Sequence, residues 1–444
     1  MPPVTALRLA LRGDLLDFTS PPALEATALD GVRWRADHWL LVEDGRVSGV
    51  QPGTHEPDSS WTRVDHRDRL ILPGFIDTHV HSAQLGVMAS YGTELLDWLN
   101  TYTFPAERAF ADPAFARAGS EQFLDALLAH GTTSAVVFPT VHRVSVDALF
   151  GAASERGMRL IAGKVLMDRH APEGLRDDVE QAEADCRELI SRWHGKGRNA
   201  YAVTVRFAPT STPEQLAMAG RLCAEDQSLY MQTHVAENRA EVAWVAELFP
   251  HARSYLDVYE RAGLLHRRSV LAHGIWLDDA DRARLKASQA QIAFCPSSNL
   301  FLGSGLFDWQ RSFDAQVNVS LASDVGGGTS LSMQRTMADA YKVQALAGRK
   351  LSAWAMLHAA TRGAAVALDL AHEIGSFDVG CTADICVWDW AVGAVARQRM
   401  AVARDLHEKL FAWLILSDER CLAEVYVAGV RRQECKQPRH CASN

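Results

Sequence analysis

Two histidines separated by one residue, His79 and His81, are the pair whose types and spacing most directly suggest chemistry. They end a mostly apolar run that starts at Leu70. Because side chains alternate across a β-strand with period two, an H-x-H pair on a strand places both imidazoles on one face. Two neutral imidazoles at the carboxyl end of a strand can supply half of the ligands of a first-row transition-metal ion. The other ligands must then come from other strands.

Eight apolar, β-branched segments are predicted as strands, and helical patterns separate most of them. The predicted strands are residues 74–81, 132–141, 159–167, 201–209, 230–237, 269–276, 291–299 and 318–324. Alternating strands and helices indicate a parallel sheet with right-handed crossovers. Eight such strands, nearly continuous in apolar character, are what a closed barrel requires. We therefore predict an α/β protein with a (β/α)₈ TIM-type barrel.

Both ends of the chain are predicted to be rich in β-structure. A strand at residues 38–42 precedes Asp44-Gly45, which is a hairpin signal, and further strands are predicted at residues 383–389 and 424–430. We predict a small β-sandwich domain built from both termini. The predicted division is residues 1–73 for its N-terminal part, 74–380 for the barrel, 381–435 for its C-terminal part and 436–444 for a tail.

Polar side chains fall at the predicted carboxyl ends of several strands, which is where function collects in a parallel barrel. These strand ends carry His79 and His81 (strand one), Arg206 and Phe207 (strand four), His234 and Glu237 (strand five), His273 (strand six) and Asp324 (strand eight). Four histidines and one aspartate form a nitrogen-rich donor set. Such a set suits Zn²⁺ or Fe²⁺ and fits Mg²⁺ or Ca²⁺ poorly.

Each of these side chains also has an ordinary structural role open to it. A single histidine in a barrel strand is often a hydrogen-bonded core residue. Asp324 could cap the turn before its glycine run, Glu237 could begin a solvated helix, and Arg206 could pair with a loop carboxylate. If all of these ordinary roles applied, seven separate polar residues would have to lie at predicted strand ends by chance. We therefore expect one shared site.

The composition is that of a soluble globular protein that can bury a large core. The chain has 444 residues, of which 48% are hydrophobic and 22% charged. Its net charge of −9 and the lack of a basic block argue against a nucleic-acid partner. The sequence shows neither a secretory signal nor an apolar run long enough for a membrane span. The 8 cysteines form no C-x-x-C pair, so we expect reduced thiols and a cytoplasmic protein.

Several segments resemble the amidohydrolase superfamily and, within it, the guanine deaminases. They are Pro73–His81, Ala89–Gly92, Leu95–Glu107, Ala162–Arg169 and Ser298–Phe307. The resemblance implies hydrolytic deamination of guanine to xanthine and ammonia. It also implies one divalent metal ion, Zn²⁺ or Fe²⁺ with Zn²⁺ favoured, and a homodimer.

The same resemblance implies a role for each strand-end residue. It implies metal ligation by His79, His81, His234 and Asp324, and catalytic roles for Glu237, His273 and Asp324. Water activated by the metal would attack the substrate, and Asp324 would also accept the proton of this water. Glu237 would shuttle the proton to a ring nitrogen and then to the leaving amino group. His273 would hydrogen-bond the water or the developing oxyanion.

Four residues are expected to bind the purine. Guanine presents two acceptors, O6 and N7, on one edge, and the guanidinium fork of Arg206 matches such a pair. Gln84 could recognise N1–H and a neighbouring ring atom, and Phe207 could offer a face or a backbone group. Trp98 could belong to a lid over the pocket, or it could simply pack within its helix.

Other functions stay open at this point. The same metal site could deaminate or dechlorinate another N-heterocycle, such as a pterin, an s-triazine or 8-oxoguanine. A catalytically inactive barrel could serve as a binding scaffold, although none of its strand-end residues is missing. A carboxylated Lys164 bridging two metals is disfavoured, because Lys164 lies in the middle of predicted strand three. The cytidine-deaminase type of zinc fold is excluded, because the chain has no Pro-Cys-x-x-Cys motif.

Overall fold

The computed structural model describes residues 7–91 and 98–434 and divides their strands between two sheets. In chain order the strands are β1 (Arg8–Phe18), β2 (Val32–Glu43), β3 (Arg46–Pro52), β4 (Thr62–Pro73), β5 (Phe75–His81), β6 (Thr132–Phe138), β7 (Arg159–Ala162), β8 (Val165–Leu166), β9 (Asn199–Val205), β10 (Tyr230–Val235), β11 (Ser269–His273), β12 (Gln291–Phe294), β13 (Asn318–Leu321), β14 (Ile385–Trp388), β15 (Leu422–Val427) and β16 (Val430–Glu434).

Helices connect most of the strands. The α-helices span Phe104–Ala109, Pro113–Ala129, Arg143–Arg156, Val179–Trp193, Pro213–Glu225, Arg239–Leu248, Tyr255–Arg261, Asp279–Ser288, Pro296–Phe301, Trp309–Asp314, Met333–Leu346, Ala353–Ala359, Arg362–Ala367, Ala394–Ala401 and Leu406–Leu416. Short 3₁₀ helices span Ser82–Val87, Ala208–Thr210 and Glu419–Cys421, and a π-helical turn spans Leu99–Thr103. Across the two described ranges, no helix is both long and apolar enough to cross a membrane.

The predicted barrel is confirmed. Its strands follow one another in the order β5, β6, β7, β9, β10, β11, β12 and β13, with β8 added beside β9, and every pair is parallel. All residues of β5, β6 and β9 are buried, as expected for strands that are covered by helices on the outside and packed inside the barrel. The eight barrel strands correspond to the eight predicted segments.

Individual hydrogen bonds join the first and last barrel strands. The hydroxyl of Thr78 donates to the carbonyl of Leu321 at 3.0 Å. The amide of Asp324 donates to the carbonyl of His79 at 2.9 Å, and the amide of His81 donates to the carbonyl of Val325 at 2.8 Å. The closure of the barrel therefore brings the H-x-H pair beside Asp324.

The second sheet is built from both ends of the chain, as predicted. Its strands lie in the order β16, β15, β14, β4, β1, β2 and β3. The Asp44-Gly45 turn between β2 and β3 has φ values of 50° and 77°, and a tight hairpin turn of this kind favours glycine and aspartate. The two helices between β14 and β15 were not predicted. The predicted boundaries at residues 73 and 380 stay predictions, and the predicted tail lies outside the described residues.

A buried ion pair ties the barrel to this second sheet. Arg198, just before β9, donates to the Asp384 carboxylate from Nη1 at 3.0 Å and from Nη2 at 2.6 Å. The same carboxylate accepts the amide of Ala428 at 2.9 Å. The Asp384 side chain is only 4% exposed, so its charge depends on these partners.

We predict that Arg198→Ala lowers the free energy of unfolding by about 3–5 kcal/mol, because it leaves the Asp384 carboxylate buried and unpaired. Urea denaturation would measure this change. The matched control is Arg117→Ala, which removes an exposed ion pair with Glu121 and should cost less than about 1 kcal/mol. Equal losses in the two variants would contradict this role of Arg198.

Candidate active site

The ten predicted site residues come together at the carboxyl ends of the barrel strands. Nine of them line one cavity of about 480 Å³, counting space open to solvent: His81, Gln84, Trp98, Arg206, Phe207, His234, Glu237, His273 and Asp324. Four residues that sequence reasoning gave no role complete the lining: Leu99, Glu241, Leu302 and Gly327. The tenth predicted residue, His79, adjoins the cavity with its Nε2 3.1 Å from Oδ1 of Asp324.

Four side chains form a convergent set of metal donors. Ligand atoms of His79, His81, His234 and Asp324 all lie within 4.8 Å of one another. The Nε2 atoms of His79 and His81 are 3.2 Å apart, and that of His81 is also 3.2 Å from Oδ1 of Asp324. A divalent cation requires donor atoms that converge on one point, and these two imidazole nitrogens and the carboxylate oxygen do so. These residues therefore fit one metal ion.

The backbone sets the orientation of His234. Its Nδ1 lies 2.7 Å from the carbonyl oxygen of Arg206, so Nδ1–H donates there and Nε2 keeps a free lone pair. Hydrogen bonding of the second ring nitrogen to a carbonyl is the usual way to fix the tautomer of a metal-binding histidine. The outward-facing nitrogen is thus prepared as a ligand.

A second possible donor set shares two members with the first. In it His273 and Cys295 replace His81 and His234. Cys295 is buried and does not line the cavity, whereas His81, His234 and Asp324 all line it. The three-histidine, one-aspartate set is therefore the better candidate for an ion that must act on a ligand in the cavity.

Burial tunes the charges of the donors. It lowers the pKa of His79 to about 4 and that of His234 well below its ordinary value, so both imidazoles are neutral at neutral pH. Burial by itself would raise the pKa of Asp324, but the imidazoles of His79, His81 and His273 hold it well below the usual range. The site thus combines neutral nitrogen donors with one carboxylate.

The backbone is left-handed at three non-glycine positions next to the cavity. Ala236 has a φ of 48°, His273 of 71° and Asp324 of 50°. Such a conformation costs about 1–3 kcal/mol at each non-glycine residue and tends to occur at functional sites. All three positions lie where a strand ends, so the chain turns sharply just where side chains must enter the cavity.

Two polar residues after β12, Asn299 in the helix Pro296–Phe301 and Ser304 beyond it, orient His273 and Glu237. The Ser304 hydroxyl donates to Oε1 of Glu237 at 2.8 Å, and Nδ1 of His273 lies 2.9 Å from Oδ1 of Asn299. The Nε2 atom of His273 lies 3.6 Å from Glu237 and 3.7 Å from Asp324. Burial lowers the pKa of His273, but these two carboxylates outweigh it and raise the pKa overall. His273 is therefore suited to donate a proton or hydrogen bond into the cavity.

Arg206 and Gln84 share a partner that sequence reasoning gave no role. Nη1 of Arg206 lies 2.8 and 2.7 Å from the two carboxylate oxygens of Glu107, and Nε2 of Gln84 donates to the same carboxylate at 2.9 Å. The sequence left open that Arg206 pairs with a loop carboxylate; its partner is a carboxylate, but Glu107 lies in the helix Phe104–Ala109. Arg206 and Gln84 still line the cavity. Only the resemblance of Leu95–Glu107 could have pointed to this glutamate.

Phe207 and Trp98 form apolar parts of the wall. The Phe207 ring makes an edge contact with Trp244, with the ring centroids 6.2 Å apart. Trp98 is buried in a cluster with Phe104 and Phe138, and its Nε1 has no hydrogen-bond partner within residues 7–91 and 98–434. Trp98 therefore packs in the core while facing the cavity. The preceding residues 92–97, part of the predicted lid, lie outside the described residues.

Lys164 is not placed to bridge metals. Its Nζ forms a buried ion pair with Asp177, and it is not among the residues that line the cavity. This position agrees with a mononuclear donor set.

A comparison with known protein families identifies the family of this chain. The model of the Amidohydrolase family matches residues 70–431. This range includes the whole barrel and all the residues of the candidate active site. The chain therefore belongs to the amidohydrolase family.

Its full-length relatives narrow this class to the guanine deaminases. The chain is 43% identical over 424 residues to the guanine deaminase of Escherichia coli (strain K12), covering 95% of this chain and 96% of that protein. The solved structure of the E. coli guanine deaminase superposes with a TM-score of 0.91 at 42% identity, covering 96% and 99% of the two chains. A guanine deaminase from C. acetobutylicum with bound guanine in the active site superposes with a TM-score of 0.85 at 28% identity, again covering 96% and 99%.

We predict that the purified protein retains about one divalent metal ion per chain and that His234→Ala loses it, because one of four ligands is removed. Elemental analysis after dialysis would measure the ion. The control is His251→Ala, which changes an exposed histidine and should keep the wild-type metal content. Full metal retention in His234→Ala would contradict the donor set.

Proposed function

We propose that this protein hydrolyses guanine to xanthine and ammonia at a single divalent metal ion. The observation that carries the proposal is one cavity in which a metal-donor set and the Glu237–His273 pair share space with Arg206 and Gln84. The first group of residues suits hydrolysis, and the second suits recognition of a purine edge. The guanine deaminase relatives, which match nearly the whole chain, support the same substrate.

We propose His79, His81, His234 and Asp324 as the metal ligands. A divalent ion held there would lower the pKa of water and so supply a hydroxide-like nucleophile for C2 of guanine near neutral pH. Asp324 accepts the proton that the water loses. The nitrogen-rich donors favour Zn²⁺, and Fe²⁺ is the alternative that metal analysis would identify.

Glu237 and His273 then handle protons and charge. Glu237 delivers a proton to the ring nitrogen N3 as the C2–O bond forms. It then takes the remaining proton of the new C2 hydroxyl and passes it to the amino group, so that the C2–N bond breaks, ammonia leaves and the C2 carbonyl forms. The proton held by Asp324 returns to Glu237 for the next cycle. His273 donates a hydrogen bond to the oxygen that becomes the C2 carbonyl of xanthine. The hydrogen bond from Ser304 keeps the Glu237 carboxylate facing the cavity. One water is consumed and one ammonia is released for each guanine.

Four other residues that line the cavity hold the purine. Arg206 donates to O6 and N7, and the Gln84 amide oxygen accepts N1–H. Phe207 and Trp98 enclose the ring system, as aromatic side chains commonly do for flat heterocycles.

We also propose a cytoplasmic homodimer that acts on a small-molecule purine, without nucleic-acid or membrane partners. The dimer rests on the family resemblance, and the lack of a nucleic-acid partner rests on the net charge of −9. Light scattering coupled to size-exclusion chromatography would test the dimer.

We predict that the metal-replete protein converts guanine to xanthine with one ammonia released per xanthine. Ultraviolet absorbance and an ammonia assay on the same sample would measure both products. A pterin, an s-triazine and 8-oxoguanine serve as comparison substrates and should be turned over more slowly. Unchanged guanine, or a faster reaction with a comparison substrate, would overturn the assignment.

We predict that Glu237→Gln keeps its metal and lowers kcat for guanine by about 10²–10⁴-fold, because the amide cannot carry the proton. Steady-state kinetics and elemental analysis would measure the two effects. The exposed Glu121→Gln variant makes the same chemical change far from the cavity and should keep wild-type kinetics. A near-normal kcat in Glu237→Gln would remove it as the proton carrier.

A further inference from the structure

The carboxylate of Glu107 is a buried junction between segments that are distant in sequence. Glu107 is 0% exposed, and Arg206 and Gln84 are only 4% and 2% exposed. Glu107 belongs to the helix after the first barrel strand, Gln84 to the exit of that strand and Arg206 to the exit of β9. One carboxylate thus accepts hydrogen bonds from both residues proposed to bind the polar edge of guanine.

The guanidinium of Arg206 contacts two side chains on one face of the helix Phe104–Ala109. Phe104 and Glu107 lie three residues apart, so their side chains share a face. The guanidinium carbon of Arg206 lies 5.3 Å from the centre of the Phe104 ring, while the Glu107 carboxylate binds Nη1. An arginine held by a ring and a carboxylate loses little further freedom when a ligand binds.

These contacts fix which donors remain for a ligand. Nη1 of Arg206 is committed to Glu107, whereas Nε and Nη2 have no hydrogen-bond partner in the described part of the chain. The side that carries Nε and Nη2 is a complete two-donor fork. In Gln84, Nε2 donates to Glu107, and Oε1 accepts the amide of Gly326 at 3.2 Å. This pair of bonds leaves the amide only one orientation.

We propose that Glu107 is a positioning residue for substrate specificity. It presents the Nε/Nη2 fork of Arg206 to O6 and N7 of guanine and presents Oε1 of Gln84 to N1–H. This inference rests on the proposed function. It adds that a residue which does not touch the substrate helps to select the 6-oxo edge, by orienting the two residues that do.

A purely structural role for Glu107 would have different consequences. If Glu107 only neutralised a buried arginine, its loss would lower stability and weaken all purine ligands alike. If it aims Arg206 and Gln84, its loss must weaken guanine more than a purine without the 6-oxo group. The competitor 2-aminopurine is such a purine, because it lacks both O6 and N1–H.

The experiment compares Glu107→Gln with the wild-type holoenzyme. We expect the KM for guanine to rise by about tenfold or more, with kcat within about threefold, because the proton-transfer groups stay in place. The fold increase in the inhibition constant of 2-aminopurine should be less than a third of the fold increase in the KM for guanine. Glu121→Gln is the matched control and should leave all three values unchanged.

Glu107→Asp provides the conservative rescue. It keeps the negative charge, so it should retain more of the wild-type affinity for guanine than Glu107→Gln. Metal content and melting temperature are measured for each variant. If Glu107→Gln does not fold, a KM for guanine raised about threefold in Glu107→Asp, at unchanged kcat, still supports the proposal.

The outcomes separate this inference from the proposed function. If the wild-type holoenzyme does not turn over guanine, the proposed function fails. If it does, and the Glu107 variants keep the wild-type KM, the positioning role fails alone. Equal losses for guanine and 2-aminopurine also overturn it, because they show that Glu107 only supports the fold.

Discussion

The closure of the barrel between its first and last strands is the constraint on which the site depends. His79 and Asp324 belong to segments more than 240 residues apart, yet the amide of Asp324 donates to the carbonyl of His79 at 2.9 Å. Asp77, two residues earlier, accepts hydrogen bonds from both the amide and the hydroxyl of Ser323. Burial raises the pKa of Asp77 to about 7, and the hydrogen bonds from Ser323 act against that rise. The bonds that close the barrel are thus the bonds that assemble the metal donors.

The metal half of the cavity was predictable from the sequence because it follows from the geometry of single strands. Period-two alternation puts His79 and His81 on one face, and a parallel barrel aims every strand end at the same rim. Predicted strand ends alone could therefore place His234, His273 and Asp324 at one site, whereas their separate roles came from the family resemblance. The turns that follow three of these strands need left-handed backbone at Ala236, His273 and Asp324. This conformation is commoner for aspartate and histidine than for most residues, but no local pattern indicates it at Ala236.

The other half of the cavity was less accessible to sequence reasoning, because it depends on which segments meet across the rim. Ser304 contacts Glu237, and Asn299 of the helix Pro296–Phe301 contacts His273, only through tertiary packing. Glu107 likewise reaches Arg206 across 99 residues of sequence. Local patterns carry no information about such contacts, and a resemblance between segments marked these regions without saying what they do.

This difference between the two halves has a chemical meaning. The strand ends alone provide a buried site that can hold a divalent ion and move protons, and these features suit hydrolysis of many ring systems. Discrimination between ring systems requires polar groups that hydrogen bonds to the protein hold in one orientation. A mobile donor could instead adapt to the polar edge of any heterocycle. Here the Gln84 amide is held at both ends, and the Arg206 guanidinium is hydrogen-bonded through Nη1 to Glu107 and packed on the Phe104 ring while Arg206 lines the cavity. The barrel thus sets the reaction, and the buried carboxylate beside it restricts which heterocycle can use it.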